Sequence, residues 1–113
     1  MSRDKGAQGE RDVVKEAAKH EIRAIRTAQL QANRQSGAPD VLLFDFPDLH
    51  IEVKRDERMS VDAMVRQAAT DATDAGRGGV PMVFWRRNKG EWRADVPLPW
   101  LLNVLKHLPK ATA

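Results

Sequence analysis

From Leu49 to Lys54 apolar and polar residues alternate, so a strand places His50, Glu52 and Lys54 on one face and Leu49, Ile51 and Val53 on the other. A carboxylate and an ammonium are thereby held side by side on a rigid element. A second carboxylate, Asp40, stands at the start of the preceding apolar run, and Pro47-Asp48 supplies a turn between the two segments. The resulting hairpin brings Asp40 back to the level of Lys54 and Arg55. In an ideal register Asp40 lies ~10 Å along the strand from Glu52 at the usual rise per residue. Sharing one cation then requires a twist or bulge near Ala38-Pro39.

Two carboxylates and a lysine at one end of a hairpin suit phosphodiester hydrolysis. That reaction needs a hard cation to neutralise charge on the phosphate oxygens and to lower the pKa of the attacking water. Magnesium fits, because it binds through one or two carboxylates and keeps several waters, and manganese is expected to substitute for it. Asp40 and Glu52 would hold the ion with the backbone carbonyl of Val53, while Lys54 orients or helps to deprotonate water. The same residues also fit a plainer arrangement, the exposed polar face of an edge strand with Asp40 as a turn residue.

The surrounding elements follow from periodicity. A first helix runs from Gln8 to about His20 with Val13, Val14, Ala17 and Ala18 on one stripe, and Glu10 falls in register with that stripe. A buried acid requires a cation or a metal shell to answer it, unless it sits at the helix end to meet the dipole. Residues 21–26 form a strand around Ile22 and Ile25, 29–38 a polar loop, and 41–46 an apolar strand. Ser60 caps a second helix carrying Met64, Val65, Ala68 and Ala72, with Gly76 as its stop. On that helix Gln67 lies beside Met64, within reach of the carboxylates or else on the surface. Val80 to Trp85 is a strand buried on both faces, a further short strand surrounds Trp92, and Pro97 to Leu108 is an amphipathic, leucine-rich helix. The sum is a mixed sheet covered by helices, an α/β arrangement.

Composition excludes several classes of function. The 113 residues contain no cysteine, which rules out disulfides, thiolate nucleophiles and Cys-ligated zinc. No hydrophobic stretch suggests a signal or a membrane span, so an intracellular, cytoplasmic protein is expected. A phosphate loop of the G-x-x-x-x-G-K-[ST] type is missing, and no nucleotide cofactor is indicated. The net charge is only +3, yet twelve of the nineteen cations are arginine, the residue favoured for gripping phosphates. Arg23, Arg26, Arg34, Arg55, Arg58, Arg86, Arg87 and Lys89 fall in loops or at strand ends, where they form either a phosphate-tracking surface or scattered solubilising charge. The three tryptophans suit core or interface positions better than base stacking. His20, His50 and His107 show no metal-ligand spacing, and His50 is read as a bystander.

Four segments taken in order resemble the motifs of archaeal-type Holliday junction resolvases of the PD-(D/E)xK nuclease superfamily. They are K-G-A-Q-G-E-R-D-V-V at Lys5 to Val14, G-A-P-D at Gly37 to Asp40, I-E-V-K at Ile51 to Lys54 and R-Q-A at Arg66 to Ala68. The E-x-K element is shared by many nucleases, whereas the K-G-x-x-x-E-R start is more telling. The resemblance implies a restriction-endonuclease-like α/β core, a central mixed β-sheet flanked by helices, as a single nuclease domain over residues 1–113. It further implies a magnesium-dependent homodimer that cuts branched double-stranded DNA with paired nicks. Its functional positions map onto Glu10, Asp40, Glu52, Lys54 and Gln67, and its DNA contacts onto Arg11, joined here by Lys5, Arg34, Arg55 and Arg58. The family's functional serine before the catalytic aspartate has no secure counterpart in Ser36, and the final third, with Trp85, Trp92 and Trp100, matches less well. A nuclease acting on flaps, forks or duplex, and a non-catalytic nucleic-acid-binding module, are the rival expectations.

Overall fold

The computed structural model describes residues 3–33, 38–55, 60–74 and 79–112. Helix α1 (Arg3–Lys19) starts earlier than its apolar stripe requires. It ends where Glu21 takes a left-handed backbone, φ 62°. There the N–H groups of Glu21 and Ile22 donate back to the carbonyls of Ala18 and Ala17 at 3.0 and 2.9 Å, so the last carbonyls are satisfied by a Schellman turn built without glycine. The turn feeds β1 (Ala24–Arg26), so the strand expected over 21–26 is present only in its second half, with Glu21 and Ile22 spent on closing the helix. The polar stretch that follows is not a plain loop: Thr27–Asn33 winds into a 3₁₀ helix, η1.

Next come β2 (Val41–Leu43), β3 (Leu49–Arg55), α2 (Val61–Asp74), β4 (Val80–Arg86), β5 (Arg93–Asp95) and α3 (Leu98–Leu105). The strands form one sheet in the order β1-β2-β3-β4-β5. Only β3 and β4 run parallel, and a parallel pair needs a crossover connection, which α2 provides. The two longer helices cover opposite faces. Val13 of α1 packs with Val41, Leu43, Ile51, Val53 and Met82, whereas Met64 and Ala68 of α2 pack on Val83. The α/β architecture with a mixed sheet flanked by helices is the one expected. Strand β3 is central and covered on both sides, so the edge-strand alternative for Glu52 and Lys54 does not hold.

Several local expectations need correction. Strand β2 stops at Leu43 because residues 44–48 form a five-residue connection, with Phe44 and Phe46 exposed. Strand β4 is fully buried only at Met82 and Val83, and Trp92 precedes β5 rather than lying in it. Every residue of α3 is at least partly exposed, with Leu98, Leu102 and Leu105 at 62, 55 and 47%. The expected helix stop at Gly76, and Arg34, Ser36 and Arg58, lie outside the described residues. Among the described residues no helix is long and apolar enough to cross a membrane.

The connection also resets the register. A two-residue hairpin at Pro47-Asp48 would set Val41 opposite Lys54, but Val41 pairs with Ile51, a shift of three residues. Asp40 therefore falls beside Glu52 without the twist or bulge that the ideal register demanded. At the head of β4, Val80 N–H donates to the carbonyl of Asp48 at 2.7 Å, drawing Gly79 against the same loop. A Cβ at Gly79 would lie 2.9 Å from that carbonyl oxygen and 3.4 Å from the Cβ of His50. Gly79→Ala is expected to destabilise the protein by ~1–3 kcal/mol, the usual range for overpacking, in urea denaturation.

Candidate active site

Asp40 is held from three directions. Its N–H donates to the carbonyl of Ile51 at 2.9 Å, and its carbonyl accepts from the N–H of Thr27 at 3.1 Å. The buried Thr27 hydroxyl donates to the carbonyl of Pro39, fixing the residue before it. Its carboxylate Oδ2 accepts the Val53 N–H at 2.8 Å. Backbone and side chain are thus both committed, and a side-chain hydrogen bond joins Asp40 to Glu52. Because N–H and C=O of one strand residue point to the same side, the Val53 carbonyl faces the same edge of β3, just beyond the end of β2.

Glu52 is 6% exposed in the middle of β3. Strand alternation directs it to the α2 face, whereas Ile51 and Val53 turn to α1. Desolvation is the largest influence on its carboxyl group, followed by the charge of Asp40 and a hydrogen bond with it. Asp71 adds to these and Lys54 opposes them, leaving the Glu52 pKa raised from 4.5 to about 9. In the absence of a cation Glu52 therefore keeps its proton, because two carboxylates in one low-dielectric space cannot both ionise cheaply. The sequence expectation that Asp40, Glu52 and Lys54 converge is met geometrically.

His50 corrects the bystander reading. It is 3% exposed, and its Nε2 lies 3.0 Å from Oε1 of Glu52. Asp71 approaches from α2, so that ligand atoms of His50, Glu52 and Asp71 all lie within 4.8 Å of one another. Sequence reasoning missed Asp71. The available signal was its place one turn beyond Gln67 and next to Ala72 on the stripe that faces the sheet. Gln67 is itself exposed, and its Nε2 donates to Asp71 Oδ1 at 2.9 Å, so it touches the cluster through Asp71.

Glu10 is found where the helical stripe put it, and its charge is answered. Arg26 Nε donates to its Oε1 at 3.0 Å, with both side chains about 15% exposed. Arg26 is the register partner of Val41, the residue after Asp40, so the pair stands beside the start of β2. Arg11 is exposed on α1, and the side chain of Lys5 lies outside the described residues. Arg55 and Arg86 are register partners at the ends of β3 and β4, and each has a buried Nε without a hydrogen-bond partner among the described residues. Of the remaining expected basic ring, Arg23 stacks on Phe44, Arg86 on Trp92 and Arg87 on Trp85, which leaves it only partly a free surface.

Comparison with family models and with curated proteins returns no significant match. Among solved structures, the chain is similar to Hjc, a Holliday junction resolvase from the archaeal hyperthermophile Archaeoglobus fulgidus. The two are 28% identical, with a TM-score of 0.55 over 81% of this chain and 72% of that one. The resemblance to archaeal-type resolvases carried by the sequence motifs is thus also a resemblance of fold, and it supports a nuclease of that kind.

The raised pKa of Glu52 has a consequence for stability. A carboxyl group that binds its proton more tightly when folded stabilises the native state fully below the unfolded value, and that contribution is lost as pH rises through the folded value. The melting temperature of the metal-free protein is expected to fall between about pH 4.5 and 9. Glu52→Gln is expected to flatten that slope in differential scanning calorimetry, and an unchanged slope would remove Glu52 as its source.

Proposed function

We propose that this chain is a magnesium-dependent endonuclease that resolves four-way DNA junctions by paired phosphodiester cleavage. The observation that carries the reading is the juxtaposition of Asp40, Glu52 and Lys54 at the β2–β3 edge of a fold similar to that of an archaeal Holliday junction resolvase.

The donor set fits a hard divalent cation. Asp40 and Glu52 offer two carboxylates, the Val53 carbonyl faces the same edge, and among the described residues Lys54 is the cation whose charge acts against theirs at Glu52. Asp40, Glu52 and the Val53 carbonyl would hold the magnesium, which would supply positive charge against the scissile phosphate and lower the pKa of the attacking water. The hydrogen bonds that Asp40 accepts from Thr27 and Val53 and donates to Ile51 preorganise it, so little rearrangement is needed on binding. Lys54 is half-exposed, placed to orient a water against the phosphate and to offset charge in the transition state. Glu10 completes the proposed set from α1, with Arg26 holding its carboxylate beside the start of β2.

Arg11, Arg55 and Arg86 are assigned to backbone phosphates, and Lys5, Arg34 and Arg58 are assigned the same role from the sequence alone. Two neighbouring guanidinium groups with unmatched buried Nε atoms favour an anion between or beside them. Symmetric incision of a four-way junction needs two sites related by a two-fold axis, so the active species is proposed to be a homodimer. The exposed leucines of α3 supply apolar surface for such an association.

The decisive assay offers magnesium and four labelled substrates, a four-way junction, a flap, a fork and linear duplex, to wild type and to Glu52→Ala. Paired nicks in the junction alone, reduced to background by the substitution, are expected. Equal cutting of all four substrates would make the chain a general nuclease, and tight junction binding without cleavage would leave a binding module. In binding measurements Arg55→Ala is expected to weaken all DNA substrates together and to reduce the slope of log K against log salt by about 1, the signature of one lost phosphate contact.

A further inference from the structure

We propose that His50, Glu52 and Asp71 form a second cation site, on the α2 side of Glu52, selective for nitrogen-accepting divalent metals such as manganese. It rests on the reading of Glu52 as a metal ligand, and it makes that carboxylate a bridge between the Asp40 side and the α2 side.

The geometry comes from two elements only. His50 and Glu52 are two apart on β3 and therefore project from the same face, while Asp71 descends from α2. Adjacent donors around an octahedral cation with bonds of ~2.1 Å are separated by ~3.0 Å. The His50 Nε2 to Glu52 Oε1 distance is 3.0 Å, and the three ligand atoms lie within 4.8 Å of one another, which leaves room for one ion among them. This is not a patch of surface acids. The imidazole is 3% and Glu52 6% exposed, so both would have to be desolvated whether or not a ligand is present.

Charge favours the same conclusion. Asp40 and Asp71 both press on Glu52, and Lys54 is the cation acting against them. Three carboxylates gathered around one buried imidazole carry negative charge that a divalent ion balances. Ligand type then decides which ion: a site with one nitrogen and two carboxylates suits manganese or cobalt better than magnesium, which prefers oxygen donors and retained water. Gln67 donates to Asp71 Oδ1 at 2.9 Å and so orients this carboxylate, acting as a positioning residue that touches no ion itself.

The test uses manganese alone, without DNA. Electron spin-echo envelope modulation of Mn²⁺ bound to the wild-type protein is expected to show the nitrogen of a directly coordinated imidazole. The nitrogen signal should vanish in His50→Gln while oxygen-coordinated Mn²⁺ persists, and it should survive in Asp40→Asn. Asp71→Asn, a change at the half-buried end of the cluster, is expected to weaken the nitrogen-coordinated site tenfold or more by titration, and it carries the test if His50→Gln fails to fold. Wild-type Mn²⁺ without nitrogen modulation, modulation that survives His50→Gln, or an Asp71→Asn affinity equal to wild type would each overturn the proposal. Absence of junction cleavage would overturn the proposed function and leave this site standing, since no readout here depends on catalysis.

Discussion

Glu52 is a carboxylate in the central strand of a five-stranded sheet, and a second carboxylate is held against it. Two like charges ~4 Å apart repel by about 4 kcal/mol at an effective dielectric of ~20. A single neutral hydrogen bond contributes only ~1 kcal/mol net, so no one contact at Asp40 offsets that repulsion. The arrangement persists because Thr27, Ile51 and Val53 act together on Asp40, and because Glu52 holds a proton when no cation is present. The local structure therefore holds two carboxylates together by keeping one of them protonated.

The two faces of the sheet are packed differently. On the α1 side Val13, Val41, Leu43, Ile51, Val53 and Met82 form a continuous buried cluster, flanked by Trp92 and Trp100, with the Glu10–Arg26 pair as its charged member beside the start of β2. The α2 side meets the sheet through Met64, Ala68 and Ala72, two of them the smallest side chains that still favour a helix. Small residues let α2 approach β3 closely, which brings Asp71 to Glu52 and seals His50 from water.

A second contrast separates backbone-fixed residues from exposed ones. Asp40, Glu52 and the Val53 carbonyl are set by strand pairing, which tolerates little movement. Lys54, Arg11 and Gln67 reach outward from rigid elements, and long flexible side chains at such positions can follow a ligand. Arg55 and Arg86, adjacent across the parallel pair, lie between these cases: both side chains are half-buried, and their Nε atoms are buried without a hydrogen-bond partner among the described residues.

Alternation in Leu49 to Lys54 was enough to determine that Glu52 and Lys54 share a face, because the period of a strand is a local property of the backbone. Helical spacing likewise placed Glu10 on the packed side of α1 and Met64, Ala68 and Ala72 on the packed side of α2. The motifs pointed to the correct fold. What local pattern does not contain is register and partnership. The five-residue connection between β2 and β3 moved Asp40 by three positions to stand beside Glu52, and a run of turn-compatible residues does not reveal how many of them leave the strand. Arg26 answering Glu10, Asp71 meeting Glu52 and His50 entering the site all join residues from different elements. These were decided only when the sheet closed, since the cost of burying a charge depends on what the rest of the chain brings to it.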